Sequence, residues 1–302
     1  MTGEELAARM DRVAARVEAE LDALLPGPDG AAEARLYRAM RHSALGGGKR
    51  LRPFLTHAAA GLFGVDDVLW LRAGVAIEMV HTYSLIHDDL PAMDNAELRR
   101  GRPACHRAFD EATAILAGDA LQALAFEVLA RGDWPAAAGV RADLVAGLAR
   151  AAGAAGMCGG QQIDLEAEGQ DVDLAAITRL QQLKTGALIA FSLDAAHMLA
   201  ASQGRAGPED RAALAAYASD IGLAFQIRDD LLDISGDPLV VGKDLGRDEK
   251  SRKATFPSLM GEECAMAALV ELRDRGCAEL DRFGDRSKVL RDLFDYVINR
   301  KL

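Results

Sequence analysis

The stretch WLRAGVAIEMVHTYSLIHDDLPAMD, residues 70–94, joins a long apolar helix pattern to three closely spaced aspartates. Residues 70–86 are apolar around most of a helix circumference, which is typical of a helix buried on several sides. Asp88, Asp89 and Asp94 follow at its carboxyl end. Two carboxylates ~4 Å apart repel each other by about 4 kcal/mol at an effective dielectric near 20. The pattern therefore predicts either a solvated helix end or a site that binds cations.

Pro91 bears on the geometry of these aspartates. Asp88 and Asp94 are six residues apart, so on an ideal helix they would point in different directions. Pro91 has no N–H for the carbonyl of His87 and clashes with it, so the helix is expected to kink or end there. The chain can then return Asp94 to the side of Asp88.

The remaining sequence also has helical spacing. Apolar residues from Leu6 to Leu24 recur at steps of three and four, after a capping-box pattern at Thr2 and Glu5 and before Pro26. Further helices are predicted over residues 115–130, 144–157, 177–200 and 211–234. The one short β-like run, residues 237–242, is interpreted as a loop. We predict that residues 1–302 form one all-α domain.

Composition excludes several classes of protein. The chain has 302 residues and a net charge of −11, which disfavours nucleic-acid binding. Its four cysteines have no CxxC pairing, so reduced thiols of a cytoplasmic protein are expected. Residues 1–20 carry acids and arginines where a signal peptide needs an apolar core, and no apolar run is expected to reach the ~20 residues of a membrane span.

A second acidic cluster lies near the end of another apolar helix. Asp229 and Asp233 are four residues apart and share one helix face, whereas Asp230 points away from it. Two facing sets of carboxylates would make an oxygen-only site, which suits Mg²⁺ or Mn²⁺. Zn²⁺ would require Cys or His ligands, and His87 has no second nitrogen ligand at suitable spacing.

Basic residues accompany both clusters. Glycines 46–48 directly precede Lys49 and Arg52, a pattern that lets backbone and cations approach an anion, although it lacks the P-loop spacing. Further cations are Arg99, Arg100, Lys184, Lys243 and Lys253. Metal-binding acids and separate basic groups together predict a site for two phosphorylated molecules.

Six motifs resemble, in the same order, those of the trans-polyprenyl diphosphate synthases, and most closely the bacterial short-chain enzymes of the farnesyl type. They are GGGKRLRP (46–53), DDLPAMD (88–94), LRRGRP (98–103), LKTGAL (183–188), FQIRDDLLD (225–233) and GKDLGRDEKSRKATFPSL (242–259). The resemblance implies antiparallel helices around a deep central cavity, usually in a homodimer. It also implies that isopentenyl diphosphate attacks an allylic cation formed by Mg²⁺-assisted loss of pyrophosphate.

The resemblance further implies roles for individual residues. Metal ligands would be Asp88, Asp94 and Asp229, with Asp89, Asp230 and Asp233 close by. The allylic diphosphate would be held by Arg99, Lys184, Thr185, Gln226, Lys243 and Lys253. Isopentenyl diphosphate would be held by Lys49, Arg52, His81 and Arg100. The departing pyrophosphate can take the final proton, so no catalytic histidine is required.

The resemblance also implies that product length depends on the residue five positions before Asp88. That residue is Tyr83, followed by Ser84. At ~1.5 Å rise per residue, Tyr83 lies about 7.5 Å along the helix from Asp88. A bulky ring there, with the two extra residues inside DDLPAMD, resembles enzymes that stop at the C15 product. Phe256 replaces a tyrosine frequent in the family, and the sequence assigns it no role.

Other interpretations remain open at this stage. The same chemistry could give a longer, C20 product. Glu78-x-x-His81 matches half of a di-iron bundle site, but no second Glu-x-x-His pair is present. A non-catalytic partner subunit should have lost one acidic cluster, and both are intact. The chain end, residues 296–302, is expected to fray.

Overall fold

The computed structural model describes residues 3–28, 30–235 and 254–300. The capping-box residue Thr2, the run 237–242, and the predicted site residues Lys243 and Lys253 lie outside these ranges. The first seven α-helices are α1 Gly3–Leu24, α2 Ala34–Ala44, α3 Leu51–Phe63, α4 Asp67–Asp88, α5 Cys105–Ala108, α6 Glu111–Ala130 and α7 Ala138–Ala152. The next seven are α8 Met157–Ala167, α9 Leu174–Gln181, α10 Ala187–Ser202, α11 Pro208–Ser235, α12 Phe256–Met260, α13 Glu262–Glu279 and α14 Lys288–Asn299. A π-helical segment, Gln182–Gly186, joins α9 to α10, and a 3₁₀ helix, Asp281–Ser287, precedes α14.

Helix α4 lies at the centre of the fold. It packs against α3 and α6, and α10 in turn packs against α3, α7 and α11. Trp70, Ile77 and Met79 are almost completely buried, and burial of each such side chain contributes about 1.5–3 kcal/mol. The all-α prediction is confirmed, and the apolar stretch at residues 70–86 is buried on several sides as its composition indicated.

Two predicted helices are interrupted. The predicted helix 144–157 ends as α7 at Ala152, and α8 begins at Met157. A Cβ at Gly156 would lie 2.1 Å from the carbonyl oxygen of Ala151, so the chain turns where only glycine fits. The predicted helix 177–200 contains the π-helical segment, which periodicity alone does not reveal. Such segments are frequent at functional sites.

A two-stranded antiparallel hairpin was not predicted from the sequence. Leu98–Arg99 pairs with Arg102–Pro103, with Leu98 opposite Pro103. The turn residues Arg100 and Gly101 have φ of 54° and 72°, the positive values that a two-residue type I′ turn requires. The hairpin directs Arg100 back towards α4.

Two helices in the described ranges have the length and the apolar composition needed to cross a membrane. From the sequence, no apolar run of that length was expected. They are Glu111–Ala130, with 44% of the relevant window buried, and Leu174–Ser202, with 56% buried. Alanine and leucine enrichment gives a packed core helix the same composition as a membrane span. Both segments pack against other helices here, α6 against α4 and α10 against α3.

Candidate active site

The acidic end of α4 turns back on itself. The Asp94 N–H donates to the Asp88 carbonyl at 2.9 Å, and the Ala96 N–H donates to the Asp89 carbonyl at 3.1 Å. The His87 carbonyl, which Pro91 cannot serve, accepts from the Leu90 N–H at 3.2 Å. The helix therefore ends where Pro91 predicted, and the backbone of Asp94 returns to Asp88.

One oxygen of the Asp88 side chain has no partner among the residues that the structure describes. This oxygen, Oδ1, is buried and accepts no hydrogen bond from them. Burial raises the pKa of this carboxyl group; the Lys184 ammonium opposes the rise and the Asp94 carboxylate adds to it. A buried carboxylate oxygen without a partner is energetically costly. Asp88 therefore has an open coordination position of the kind a divalent cation fills.

The neighbouring carboxylate, Asp89, binds the guanidinium of Arg99. It is 2% exposed and accepts from Arg99 Nε at 3.0 Å to Oδ1 and 3.2 Å to Oδ2. Burial lowers the pKa of Arg99, but hydrogen bonding to Asp89 and the nearby Asp88 and Asp94 carboxylates outweigh it, so the pKa is raised overall. Asp89 thus fixes a guanidinium beside the other two acids.

Four of the predicted anion-binding residues line one cavity. Lys49, Arg52, His81 and Arg100 surround a space of about 140 Å³. Burial lowers the pKa of Arg52 to about 10, so the side chain remains charged at neutral pH. Burial and the surrounding arginines, Arg52 first among them, hold the pKa of His81 well below its usual value. His81 is therefore a neutral hydrogen-bonding group among cations.

Two arginines that line this cavity, Arg50 and Arg100, are held by one buried carboxylate. Glu78 Oε1 accepts from Arg50 Nη1 at 2.8 Å and from Arg100 Nη2 at 3.5 Å. Arg50 also donates to Glu18 at 3.0 Å. Gly48, with φ of 113°, leaves room for Arg100, because a Cβ there would lie 2.9 Å from Arg100 Cζ. The glycines of residues 46–48 thus accommodate a protein guanidinium as well as exposing backbone.

The second acidic cluster borders the same cavity. Asp229 Oδ1 accepts from Arg300 Nη2 at 2.7 Å, and Arg300 is one of the cavity residues. The charge of Asp229 also raises the pKa of Arg52, against the stronger effect of burial. Asp230, which the sequence placed away from the face of Asp229 and Asp233, is buried. It accepts from Gln226 Nε2 at 2.8 Å and from the Phe256 N–H at 3.0 Å.

The π-helical segment presents Lys184 to the first acidic cluster. Lys184 Nζ donates to Asp164 Oδ2 at 2.7 Å, and its charge acts on Asp88. Thr185 Oγ1 and Gln226 Oε1 are 3.4 Å apart, which connects the π-helical segment to α11. Lys184, Thr185 and Gln226 therefore form one connected group between the two acidic clusters.

Comparison with known proteins identifies the family. The profile of the polyprenyl synthetase family matches residues 33–275. The chain belongs to the polyprenyl synthetase family. The farnesyl diphosphate synthase of Escherichia coli K12 is 47% identical over 265 residues, covering 86% of this chain and 88% of that protein. The farnesyl diphosphate synthase of Haemophilus influenzae is 40% identical over 292 residues, 97% of each chain.

Solved structures agree with this polyprenyl synthetase assignment. The apo crystal structure of an FPP/GFPP synthase from Zymomonas mobilis has a TM-score of 0.87 and 47% sequence identity. The match covers 98% of this chain and all of that one. The family and the fold predicted from the six motifs are thereby confirmed.

Within the described residues of this polyprenyl synthetase, side chains alone do not complete a metal centre. No group of three His, Cys, Asp or Glu side chains within residues 3–28, 30–235 and 254–300 is arranged to hold a metal. Mg²⁺ commonly takes one or two carboxylates and completes its shell with water and substrate phosphates. The open oxygen of Asp88 fits such a partial site, whereas Asp229 is paired with the Arg300 guanidinium in this structure.

In this polyprenyl synthetase, the prediction of a frayed chain end is wrong for residues 296–300. Up to Arg300 the chain is held: Arg228 donates to the Arg300 carbonyl at 3.0 Å from Nε and 2.6 Å from Nη2. The Arg300 guanidinium lies 4.0 Å from the Phe225 ring centroid. Lys49 Nζ lies 5.5 Å from the ring centroid of Tyr296.

Several residues of this site had no signal in the sequence. Arg300 meets Arg228 across 72 positions and Asp229 across 71, and Tyr296 contacts Lys49, which lies near the other end of the chain. In the sequence, Glu78 matches only half of a di-iron pattern, whereas in the structure it binds arginines. Phe256 uses its backbone N–H to hold Asp230, so the missing tyrosine hydroxyl does not affect that contact.

Proposed function

We propose that this chain is a (2E,6E)-farnesyl diphosphate synthase. It would join isopentenyl diphosphate head-to-tail to dimethylallyl or geranyl diphosphate and release pyrophosphate. The observation that carries this proposal is the meeting of Lys49, Arg52, His81 and Arg100 in one cavity that Asp229 borders. The cationic cavity and the acidic clusters lie next to each other. They suit two diphosphate substrates, of which one is bound directly by cations and the other through a metal ion held by carboxylates.

The cationic cavity is suited to isopentenyl diphosphate. Its charged groups neutralise a diphosphate, and the neutral His81 can donate a hydrogen bond without adding charge. The allylic diphosphate would lie between Arg99 and Lys184, whose charges already act on Asp88. Because both cations are held by carboxylates, Asp89 and Asp164, they are positioned before substrate arrives.

Mg²⁺, or Mn²⁺ in its place, would be bound by Asp88, Asp94 and Asp229 together with the allylic diphosphate. When bound it supplies positive charge that stabilises the leaving pyrophosphate. The support is the open Asp88 oxygen, whereas a metal ion bound by Asp229 would have to displace the Arg300 guanidinium from Oδ1. Lys243 and Lys253 keep their proposed role at the allylic diphosphate.

The location and assembly of the protein are also proposals. We expect a cytoplasmic enzyme, which the unpaired thiols of the described ranges support. We expect a homodimer, because α6 is strongly apolar yet leaves Ile115 44% and Leu116 56% exposed. Sedimentation equilibrium tests this assembly, and a monomer at micromolar concentration contradicts it.

Tyr83 is the proposed floor for the growing chain, with Ser84 beside it. Tyr83 is 6% exposed, lies on α4 and contacts Cys158 of α8. Replacing Tyr83 by alanine is expected to shift the main product from C15 to C20 or longer, because the ring no longer blocks the next isoprene unit. Product length measured by mass spectrometry checks this, and unchanged C15 removes Tyr83 from the role.

The activity itself has a direct test. Purified protein with Mg²⁺, isopentenyl diphosphate and dimethylallyl or geranyl diphosphate is expected to yield farnesyl diphosphate and one pyrophosphate per condensation. A main product of C20 would favour a geranylgeranyl diphosphate synthase instead. Absence of any product from either starter would support the non-catalytic alternative and overturn the proposal.

A further inference from the structure

The ring of Tyr83 is held at its side by a second ring. His87, one helical turn further along α4, lies with its ring centroid 5.7 Å away in an edge-to-face arrangement. His87 Nε2 donates to the Ile115 carbonyl of α6 at 3.1 Å. It fits there because α6 has Gly118 at the contact, where a Cβ would lie 2.2 Å from His87 Nε2. Tyr83 therefore cannot swing towards His87.

The hydroxyl of Tyr83 is held at the other end of the ring. It shares a hydrogen bond with Cys158 Sγ at 3.6 Å, and the nearby Gln122 side chain acts to lower the pKa of the hydroxyl. Cys158 belongs to α8 and Gln122 to α6. Burial raises the pKa of this hydroxyl, with the Cys158 bond adding to the effect, so it stays protonated at any physiological pH and keeps its hydrogen-bonding proton.

The ring is thus tied to a second helix. A tyrosine that filled space only by its bulk would need no partner for the hydroxyl, whereas this hydroxyl bonds to Cys158 on the facing helix α8. A buried hydroxyl that loses its partner is penalised, so this bond and the contact with the His87 ring favour one rotamer of Tyr83. The position of the ring, and with it the depth available to a product, depends on α8 as well as on α4.

We propose that Cys158 is a specificity-determining residue, which positions Tyr83 so that the product stops at C15. This inference rests on the proposed function. Cys158 acts through Tyr83 and touches no reacting atom, so it is a positioning residue.

The test compares product distributions of Tyr83→Phe, Cys158→Ala and Cys158→Ser, with geranyl diphosphate as starter. Tyr83→Phe and Cys158→Ala should each raise the C20 to C15 ratio by at least about fivefold, the factor that one ordinary hydrogen bond supplies. Cys158→Ser keeps a hydrogen-bonding group of similar size, so this variant should keep the wild-type ratio of C20 to C15 product. The double variant Tyr83→Phe/Cys158→Ala should exceed neither single variant, because both remove the same bond.

Cys264→Ala is the matched control, since Cys264 is an exposed thiol on α13. It should leave the product ratio and the KM for both substrates unchanged. Cys158→Ala with a wild-type ratio would overturn the inference, as would Cys158→Ser behaving like Cys158→Ala. These outcomes are distinct from failure of the proposed function, in which the wild-type protein itself would form no C15 product.

Discussion

Replacing Asp88 by alanine is expected to lower kcat by about 100- to 1,000-fold, comparable to the loss of a preorganised group that stabilises developing charge. The variant should nevertheless fold at least as well as the wild type in the absence of metal. The reason is that Oδ1 of Asp88 is buried without a partner among the described residues and burial already disfavours its charge. Turnover measured beside thermal unfolding in EDTA checks both expectations.

Metal binding gives this prediction a second readout. Mn²⁺ titration followed by electron paramagnetic resonance, without substrate, should show weaker binding in Asp88→Ala and in Asp88→Asn, which keeps the shape but removes the charge. Asp143→Ala removes an exposed carboxylate on α7 and should change neither turnover nor Mn²⁺ affinity. A variant at Asp88 with wild-type turnover would contradict the role of the first acidic cluster.

Replacing Glu78 by glutamine is expected to lower the free energy of unfolding by about 3–5 kcal/mol, the usual cost of removing one partner from a buried ion pair. The Glu78 and Arg50 side chains are 1% and 0% exposed, so the guanidinium left behind cannot gain water. Arg100 loses the same partner. We therefore also expect a higher KM for isopentenyl diphosphate, with the KM for the allylic substrate little changed.

Glu18 provides the control for this prediction, because it binds the same Arg50 from the surface side. Its side chain is 40% exposed, so Glu18→Gln should cost less than about 1 kcal/mol, as exposed pairs do. It should also leave the KM for isopentenyl diphosphate unchanged, since Glu18 does not contact Arg100. Urea denaturation followed by circular dichroism compares the two variants, and equal losses would show that Glu78 has no special position.

The sequence indicated the fold and the chemistry well because both depend on local patterns. Apolar spacing over residues 70–86 predicted the central helix, and Pro91 predicted its end at the aspartates. Likewise, a four-residue spacing placed Asp230 away from the face of Asp229 and Asp233. The prenyltransferase function predicted from the six motifs agrees with the family and the relatives found.

What the sequence could not indicate are contacts between distant segments. Arg300 reaches Asp229 across 71 positions, and Arg99 binds Asp89 only because the hairpin at Leu98–Pro103 folds back on α4. Cys158 meets Tyr83 across 75 positions. Which guanidinium binds which carboxylate depends on distances of a few ångströms in three dimensions, and no periodicity along the chain encodes them.

The sequence by itself determined that this protein is a helical domain carrying two acidic clusters and several basic groups for diphosphates. Only the tertiary structure decided that Asp88 keeps an open oxygen while Asp89 is occupied by Arg99, and that Glu78 serves the cationic cavity. Helix patterns arise from neighbours within one or two turns. The partner of each buried charge is chosen by packing, which brings together side chains that are remote in the chain.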